Sequence, residues 1–395
     1  MATDVSDVLS RAADVLAELR AVDLDEVADD SLTEAVLATQ RLRGSLEVAE
    51  ARLISRWDAR GVWRPSGAKS AAAWLTWRQH LPISVARQRV RHARALRTLP
   101  ALEQAWGEGD LDRAHVVTLL GACNPRTAEA FATDHPHLVE VGRSSWFTHF
   151  KTACDRWALM ADPDGAEQGA KDDLSAREVH LSQTLGDMWY GRMVFDPISG
   201  EIVHQTLSII ERELFDADWA EAKARLGRDP MIFELARTPA QRRADAMVEM
   251  AIRARTAPAG GRRPAPLFSV VVNLETLTGP VLEMLNRTSI TPGTAARWIT
   301  QADIERIVFG PKSRVIDVGA KRRFFTGALR RAIEIRDRSC FHPTCDEVPE
   351  RPQVDHIHEH SKGGPTTQDN GRWGCGHHNR WRYHHPHPDD DPDPG

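Results

Sequence analysis

The sequence lacks any long hydrophobic run. No window of about 18 apolar residues occurs in its 395 residues, which excludes a membrane-spanning helix. It also lacks an export signal, because the segment Val5–Leu19 mixes acidic side chains with its apolar ones and reads as an amphipathic helix. We therefore expect a cytoplasmic protein.

Cysteine is scarce, and the five cysteines present do not indicate disulfide bonds. An odd number in a chain without an export signal argues against a disulfide framework. Cys123 and Cys154 stand alone in helical-looking sequence and are interpreted as small buried side chains. The other three, Cys340, Cys345 and Cys375, lie within 36 residues of one another. That grouping predicts a site.

The sequence also lacks an overall positive charge. Its formal net charge is -5, and a negative net charge is not typical of a nucleic-acid binder. The average hides a basic segment, however. Residues 311–388 hold 14 Lys+Arg against 9 Asp+Glu, a balance of +5, before an acidic end. Salt screens distant charges beyond roughly 10 Å, so a locally basic module can still bind phosphates.

Most of the chain before residue 256 has helical periodicity. A capping-box pattern at Ser31 and Glu34 predicts a helix start, and Gly61 predicts the end of that helix. Thr238 predicts a second strong start, with Gln241 at the third helical position. Further helices are predicted over residues 70–80, 84–97, 110–120 and 127–134.

The change of period over residues 179–200, with two turn signals, predicts a small antiparallel β element. A strand is also predicted in "LFSVVVNL", after a linker near 256–266. We expect four parts: a helical N-terminal region over 1–175, a mixed α+β continuation over 176–320, a C-terminal module over 321–385, and a disordered acidic tail over 386–395.

Two closely spaced ligand pairs near the C-terminus predict a structural zinc site. Four residues separate Cys340 from Cys345, and thirty residues later "CGHH" supplies Cys375 and His378. Tetrahedral zinc is held by such pairs, because each closes a small ring around the ion. His377 could replace His378, although the two-residue gap favours His378, and three unrelated free thiols are the other interpretation.

A second group of polar residues follows in "QVDHIHEHSKGG". Asp355 and His356 precede Asn370 and Asn379 in order, and a glycine-rich loop separates the first pair from Asn370. Cys375 and Asn379 are four residues apart, so a helix beginning near Cys375 presents both on one side. The pattern predicts strand, loop, strand and helix in that order.

These residues resemble the HNH (ββα-metal) endonuclease family in "VDHIHEHSKGG", "TTQDNG" and "CGHHNRW". The expected fold class is therefore a mainly α N-terminal region with a small antiparallel β element, plus a C-terminal zinc-stapled ββα-metal (HNH) domain. The longer segments before it, including "RTPAQRRADAMVEMA" and "GAKRRFFTGALRRAIEIRDRSC", resemble the helical domain of unknown function that precedes an HNH module in a large actinobacterial family. That resemblance implies no activity.

The resemblance implies metal-dependent hydrolysis of DNA with 5′-phosphate and 3′-hydroxyl products. His356 has a near-neutral pKa by residue type and is the predicted general base. Asp355 and Asn379 are oxygen donors suited to Mg²⁺ or Mn²⁺, and Asn370 would aim His356 through backbone hydrogen bonds. The predicted DNA-binding residues are Arg380, Arg382, Arg330 and Arg331.

Three other hypotheses are open from the sequence. His356, His358 and His360 alternate and could form a mononuclear zinc hydrolase site on a strand, which would leave Asp355 and Asn379 without a role. The module could instead be zinc-stabilised and bind DNA without cutting it, using the basic junction formed by Lys321, Arg322, Arg323, Arg330 and Arg331. It could also be an idle nuclease attached to a helical scaffold.

Overall fold

A computed structural model describes residues 4–256, 267–273, 282–284, 286–296, 298, 303–309, 325, 327–346 and 353–384. The chain forms two compact units, Met1–Cys154 and Asp155–Gly395. Lys321, Arg322 and Arg323 of the basic junction, the acidic tail and nearly all of the predicted linker lie outside the described residues. Among those that are described, no helix is both long enough and apolar enough to cross a membrane.

The first unit is helical, as predicted. Its helices are α1 Val5–Ala21, α2 Asp29–Ala59, α3 Ala71–Gln79, α4 Ile83–Ala95, α5 Pro100–Glu108, α6 Arg113–Ala122 and α7 Ala128–Ser144. A further helix, α8 Phe147–Ala161, crosses from the first unit into the second. The long helix α2 packs against α4 and α5 and provides the centre of this bundle.

The start of α2 differs from the prediction. The helix begins at Asp29, and its N-cap residue Ala28 makes no side-chain capping hydrogen bond. Ser31 and Glu34 therefore lie inside the helix rather than at its start. The carboxylates of Asp29 and Asp30 occupy the first turn, where they interact favourably with the positive end of the helix dipole. Gly61 follows the helix with φ +66°, as its predicted role requires.

Helix α7 continues through a proline, beyond its predicted end at residue 134. Pro136 has no N–H, so the carbonyl of Ala132 loses its helical partner. Nδ1 of the buried His135 lies 2.9 Å from that carbonyl oxygen and replaces the missing hydrogen bond. A local side chain thus offsets the proline, which explains why the helix runs on to Ser144.

The second unit begins with α9 Pro163–Ser175 and a hairpin of β1 Glu178–Gln183 and β2 Trp189–Val194, followed by the helical pair α10 Pro197–Leu226 and α11 Pro239–Thr256. The hairpin is antiparallel, as predicted. At the start of α11, the Thr238 N–H donates to Gln241 Oε1 at 2.8 Å and the Gln241 N–H to Thr238 Oγ1 at 3.3 Å. This reciprocal cap confirms the predicted start.

A four-stranded sheet then follows in the order β5-β4-β3-β6. Its strands are β3 Leu267–Asn273, β4 Leu282–Met284, β5 Ser289–Ile290 and β6 Asp303–Phe309, with the short helix α12 Pro292–Ala296 between the last two. β3 was predicted as a strand. Its parallel pairing with β6 was not, because that pairing joins segments 30 or more residues apart and leaves no local pattern.

The C-terminal elements are α13 Gly327–Asp337, β7 Gln353–His356, β8 Gly371–Gly374 and α14 Gly376–His384. Strand, loop, strand and helix thus follow in the predicted order. β7 pairs with β8 antiparallel, with His356 opposite Gly371. A small core of Phe325, Leu329, Ile333 and Trp373 packs α13 beneath the two strands and fixes their position.

Candidate metal centres of the C-terminal module

The four predicted zinc ligands come together. The ligand atoms of Cys340, Cys345, Cys375 and His378 all lie within 4.8 Å of one another. His378 Nδ1 lies 3.5 Å from Cys340 Sγ and 3.2 Å from Cys375 Sγ. Tetrahedral zinc with bonds of about 2.3 Å to sulfur and about 2.0 Å to nitrogen separates such atoms by roughly 3.5 Å. The cluster therefore fits a zinc ion.

Neighbouring groups orient these ligands. The backbone N–H of Cys375 donates to Cys340 Sγ and that of His378 donates to Cys375 Sγ, each at 3.4 Å, and such bonds stabilise thiolates. The His378 ring stacks on His342, with centroids 4.0 Å apart and planes 7° from parallel. The cluster joins the loop after α13 to the beginning of α14, so it fixes that helix against the strands.

A second polar group lies between β7 and α14. Gln353 and Asp355 share one face of the strand, and Asn379 and Arg382 share one face of the helix. Asn379 Nδ2 donates to Gln353 Oε1 at 2.6 Å, and an Arg382 nitrogen lies 2.6 Å from Asp355 Oδ2. The two pairs form a seam, which we define as the β7–α14 seam (Gln353, Asp355, Asn379 and Arg382).

The side-chain carbonyl oxygen of Asn379 is buried in this seam without a hydrogen-bond partner. An unsatisfied buried acceptor costs about 1–3 kcal/mol, and a donor or a cation bound at this oxygen would remove that cost. Arg382 contacts Asp355 through Oδ2, which leaves Oδ1 for another ligand. An amide oxygen and a carboxylate oxygen are ligands that Mg²⁺ and Mn²⁺ accept.

His356 ends β7 and is buried, with 8% of its surface exposed. Its Nε2 lies 2.9 Å from Thr366 Oγ1, and its ring packs on Phe325 at a centroid distance of 4.5 Å. Among the described residues, Nδ1 has no hydrogen-bond partner. Burial lowers the pKa of His356, the neighbouring Asp355 carboxylate opposes this, and His360 and Arg382 lower the pKa further; the net shift is downward, so the neutral imidazole predominates at pH 7.

Asn370 ties the glycine-rich loop to the end of β7. Its Oδ1 accepts a hydrogen bond from the His358 N–H at 2.8 Å, and its Nδ2 donates to the carbonyls of His358 and Pro365 at 3.0 and 2.7 Å. All three bonds go to backbone groups within nine residues of His356. The amide therefore holds the chain that follows His356, while its part in a reaction stays a prediction.

The predicted DNA-binding arginines differ in their surroundings. Arg380 is exposed on α14. Arg330 and Arg331 both pair with Glu334, at 2.8 and 3.4 Å, which reduces the charge that they offer to a phosphate. Neither arrangement tests DNA binding.

Arg382 is not the surface residue that we expected. Only 7% of it is exposed, and besides Asp355 it donates to the backbone carbonyls of His356 and Ile357. Its guanidinium satisfies one carboxylate and two carbonyls at the end of a short strand, which explains its burial. The phosphate-contacting role predicted for Arg382 is therefore corrected to a structural one inside the module.

Sequence reasoning missed two residues of this site, Gln353 and Thr366, and gave a third, Arg382, a different role. Gln353 lies two residues before Asp355, and its position on the same strand face was available from the two-residue period. The three-residue spacing of Arg382 from Asn379 likewise placed them on one helix face. Thr366 gave no signal, because its contact with His356 depends on how the loop folds back.

Comparison with known proteins places most of the chain in a family. The model for a domain of unknown function (DUF222) matches residues 33–337 and ends before Cys340. No curated protein and no solved structure matches the chain. The match bears out the resemblance of the helical region to a domain of unknown function, and it covers well over half of the sequence. The chain therefore belongs to the DUF222 family.

Proposed function

We propose that the C-terminal module is a metal-dependent HNH endonuclease that hydrolyses phosphodiester bonds of DNA. The observation that carries the proposal is the β7–α14 seam. Hydrogen bonds join its strand to its helix, and it contains both the unpartnered Asn379 Oδ1 on α14 and the Asp355 carboxylate on β7. These two residues are the pair that the HNH resemblance assigns to the catalytic cation. His356 and Asn370 lie at the adjoining end of β7.

The oxygen atoms of Asp355 and Asn379 would hold one Mg²⁺ or Mn²⁺ ion. When bound, such an ion supplies Lewis-acid stabilisation of negative charge on the scissile phosphate and the leaving 3′ oxygen. Arg382 holds Asp355 through Oδ2 and keeps the carboxylate against α14. Both oxygen donors thus stand on regular secondary structure, and the strand and the helix fix the distance between them more rigidly than a surface loop would.

His356 would take the proton of the attacking water. Thr366 occupies Nε2, so Nδ1 is the ring nitrogen that remains for this proton. The lowered pKa keeps the imidazole neutral and therefore able to accept a proton at physiological pH. Phe325 on one side and Thr366 below restrict the ring to one orientation, which is what a positioned base requires.

The Cys340, Cys345, Cys375 and His378 cluster would hold a structural zinc ion. Closed four-ligand sites of this composition stabilise small folds rather than catalyse reactions, because no position is left for water. Here the ligands Cys375 and His378 flank the first turn of α14, directly before Asn379. Zinc would therefore position one half of the seam.

DNA is the proposed substrate, with the exposed Arg380 beside the seam as a phosphate contact, and binding would bring the protein to the nucleoid. Incubation of the zinc-loaded protein with supercoiled plasmid tests this. We expect nicked plasmid with Mg²⁺ or Mn²⁺ and intact plasmid when EDTA replaces them. Absence of cleavage under both conditions would reject the nuclease.

The second candidate is a zinc-stabilised module that binds DNA without cutting it. It is favoured by the Arg382–Asp355 ion pair and by the burial of His356, since both limit access to the proposed catalytic groups. An electrophoretic mobility shift with the same plasmid fragment separates the candidates. Retardation without cleavage in Mg²⁺ and Mn²⁺ would establish binding alone.

A further inference from the structure

Residues 51–100 carry a charge unlike that of the rest of the chain. They hold eleven Lys and Arg residues but a single acidic residue, Asp58. The whole chain contains 56 Asp and Glu, so at the average frequency a stretch of this length would hold about seven. A segment charge of +10 within a chain of net charge -5 needs an explanation.

This segment folds into one region of the first unit. It forms the end of α2, the loop that follows it, and the helices α3 and α4. Helix α4 packs against both α2 and α3. Trp57 of α2 lies against Trp74 of α3, with ring centroids 4.8 Å apart. The three helices therefore concentrate the positive charges of the segment instead of spreading them over the unit.

Only some of these cations have partners within the unit. The structure shows five such contacts (Arg52 with Glu103, Arg89 with Glu50, Arg94 and Arg97 with Asp58, and Arg91 with the Leu120 carbonyl). The other six are exposed, and none forms an ion pair with a residue that the structure describes: Arg56, Arg60, Arg64, Lys69, Arg78 and Arg87. We define these six, together with Trp77, as the α2–α4 cationic surface.

An accessible tryptophan lies among these charges. Trp77 is 60% exposed, whereas Trp106 in the core of the same unit is 3% exposed. The guanidinium carbon of Arg78 lies 5.3 Å from the ring centroid of Trp77 and 5.8 Å from that of Trp74. An exposed indole beside guanidinium groups can stack on an unpaired base while the cations bind the adjoining phosphates.

Charge and the exposed indole together favour one class of partner. Six cations without carboxylate partners favour a polyanion, since binding it releases condensed counterions. An anionic membrane would also need an apolar helix face, but Trp77 is followed on α3 by the exposed Arg78 and Gln79 and then by the exposed His80. A duplex keeps its base faces stacked, whereas a single strand offers both phosphates and free bases.

We propose that the α2–α4 cationic surface binds single-stranded nucleic acid. Its arginines and Lys69 contact phosphates, and one base stacks on Trp77. The surface lies within the first unit, and its binding of a strand does not depend on the nuclease proposed for the C-terminal module.

Fluorescence anisotropy of a labelled single strand of DNA, about 20 nucleotides long, tests the proposal on the zinc-loaded full chain. Mg²⁺ and Mn²⁺ are left out, so the measurement reports binding alone, and an inactive nuclease would give the same result. The triple variant Arg60→Ala, Arg64→Ala and Arg78→Ala removes three phosphate contacts. At about 50 mM salt its affinity should fall about a hundredfold, and the slope of log affinity against log salt should become shallower by about 2.

A matched triple variant separates the position of the charges from their number. Arg11→Ala, Arg20→Ala and Arg43→Ala remove the same charge from exposed positions of α1 and the first half of α2. This variant should bind the strand about as tightly as the wild type. Equal affinities of the two triple variants would overturn the proposal.

Two tryptophan variants test the stacking. Trp77→Ala should weaken single-strand binding about tenfold and leave binding of the corresponding duplex unchanged, because its bases are already stacked. Trp146→Ala, at a residue of the first unit that is 42% exposed, should bind both as the wild type does. Unchanged single-strand affinity of Trp77→Ala, or binding to phosphatidylglycerol vesicles with none to the strand, would contradict the proposal.

Discussion

The arginine at position 382 shows how one residue can link the two halves of a small site. Its guanidinium joins Asp355 and the carbonyls at the end of β7 to helix α14 from a buried position. Sequence reasoning assigned it to the surface because arginines near a helix end are usually solvated. The contacts that bury it come from a strand 25 or more residues away.

Replacing Arg382 by Met should destabilise the module by about 2–3 kcal/mol, because the partly buried Asp355 carboxylate and the carbonyls of His356 and Ile357 lose their donor. Arg380→Met, which changes an exposed arginine two residues earlier, should cost under about 0.5 kcal/mol. Urea denaturation followed by circular dichroism measures both. Equal effects would show that Arg382 makes no structural contribution.

His92 in the first unit predicts a pH dependence of stability. It is 5% exposed, and burial, aided by Arg113 and Arg91, lowers its pKa to about 4. The unfolded chain, with a pKa near 6.5, binds the proton more readily than the folded one. The stability tied to neutral His92 is therefore complete above about pH 6.5 and is lost as pH falls towards 4, by about 3 kcal/mol.

The free energies of unfolding of the wild type and of His92→Gln, measured in urea at pH 7 and pH 4.5, test this. Other acid-sensitive groups act equally in both proteins, so their difference isolates His92. The wild type should lose more stability than the variant over this interval. Parallel losses would contradict the effect of burial on His92.

At the scale of elements, the zinc cluster should decide whether α14 stays packed against β7 and β8. Cys375→Ser removes a ligand and should abolish bound zinc, while Cys123→Ser, at a cysteine of the helical unit, should retain one zinc per chain. Inductively coupled plasma mass spectrometry gives the zinc content. Limited proteolysis should show new cleavage after β8 in Cys375→Ser only, and zinc retained by that variant would exclude the proposed ligand set.

The loop between β7 and β8 offers a second test at this scale. Asn370→Asp keeps an acceptor for the His358 N–H but replaces two donor bonds to carbonyls with repulsion. We expect a loss of about 2–3 kcal/mol in stability and faster amide exchange at residues 357–370. Hydrogen exchange followed by mass spectrometry measures this. Unchanged exchange would show that the loop does not depend on Asn370.

Local spacing made most of this module predictable. The zinc ligands come in two pairs that are close in sequence. A turn brings Cys340 near Cys345, and the start of α14 brings Cys375 near His378. The order of β7, β8 and α14 followed from the same short-range pattern. Thr366 and the unpartnered oxygen of Asn379 were not predictable, because their surroundings are set by segments that approach only in the folded module.

Over the whole molecule, helical periodicity predicted the first unit well and the mixed sheet poorly. α3, α4 and α6 lie within a few residues of their predicted bounds, since amphipathic repeats are local. The parallel pairing of β3 with β6 depends on partners far apart in the chain.

Nicking of supercoiled plasmid by His356→Ala, beside the wild type and the surface control His180→Ala, tests most directly whether the C-terminal module is a nuclease. With Mn²⁺ present and zinc content equal in all three proteins, His356→Ala should be slower by about a hundredfold or more, and His180→Ala should match the wild type. Equal rates in all three proteins would contradict a base at position 356 and the HNH mechanism with it.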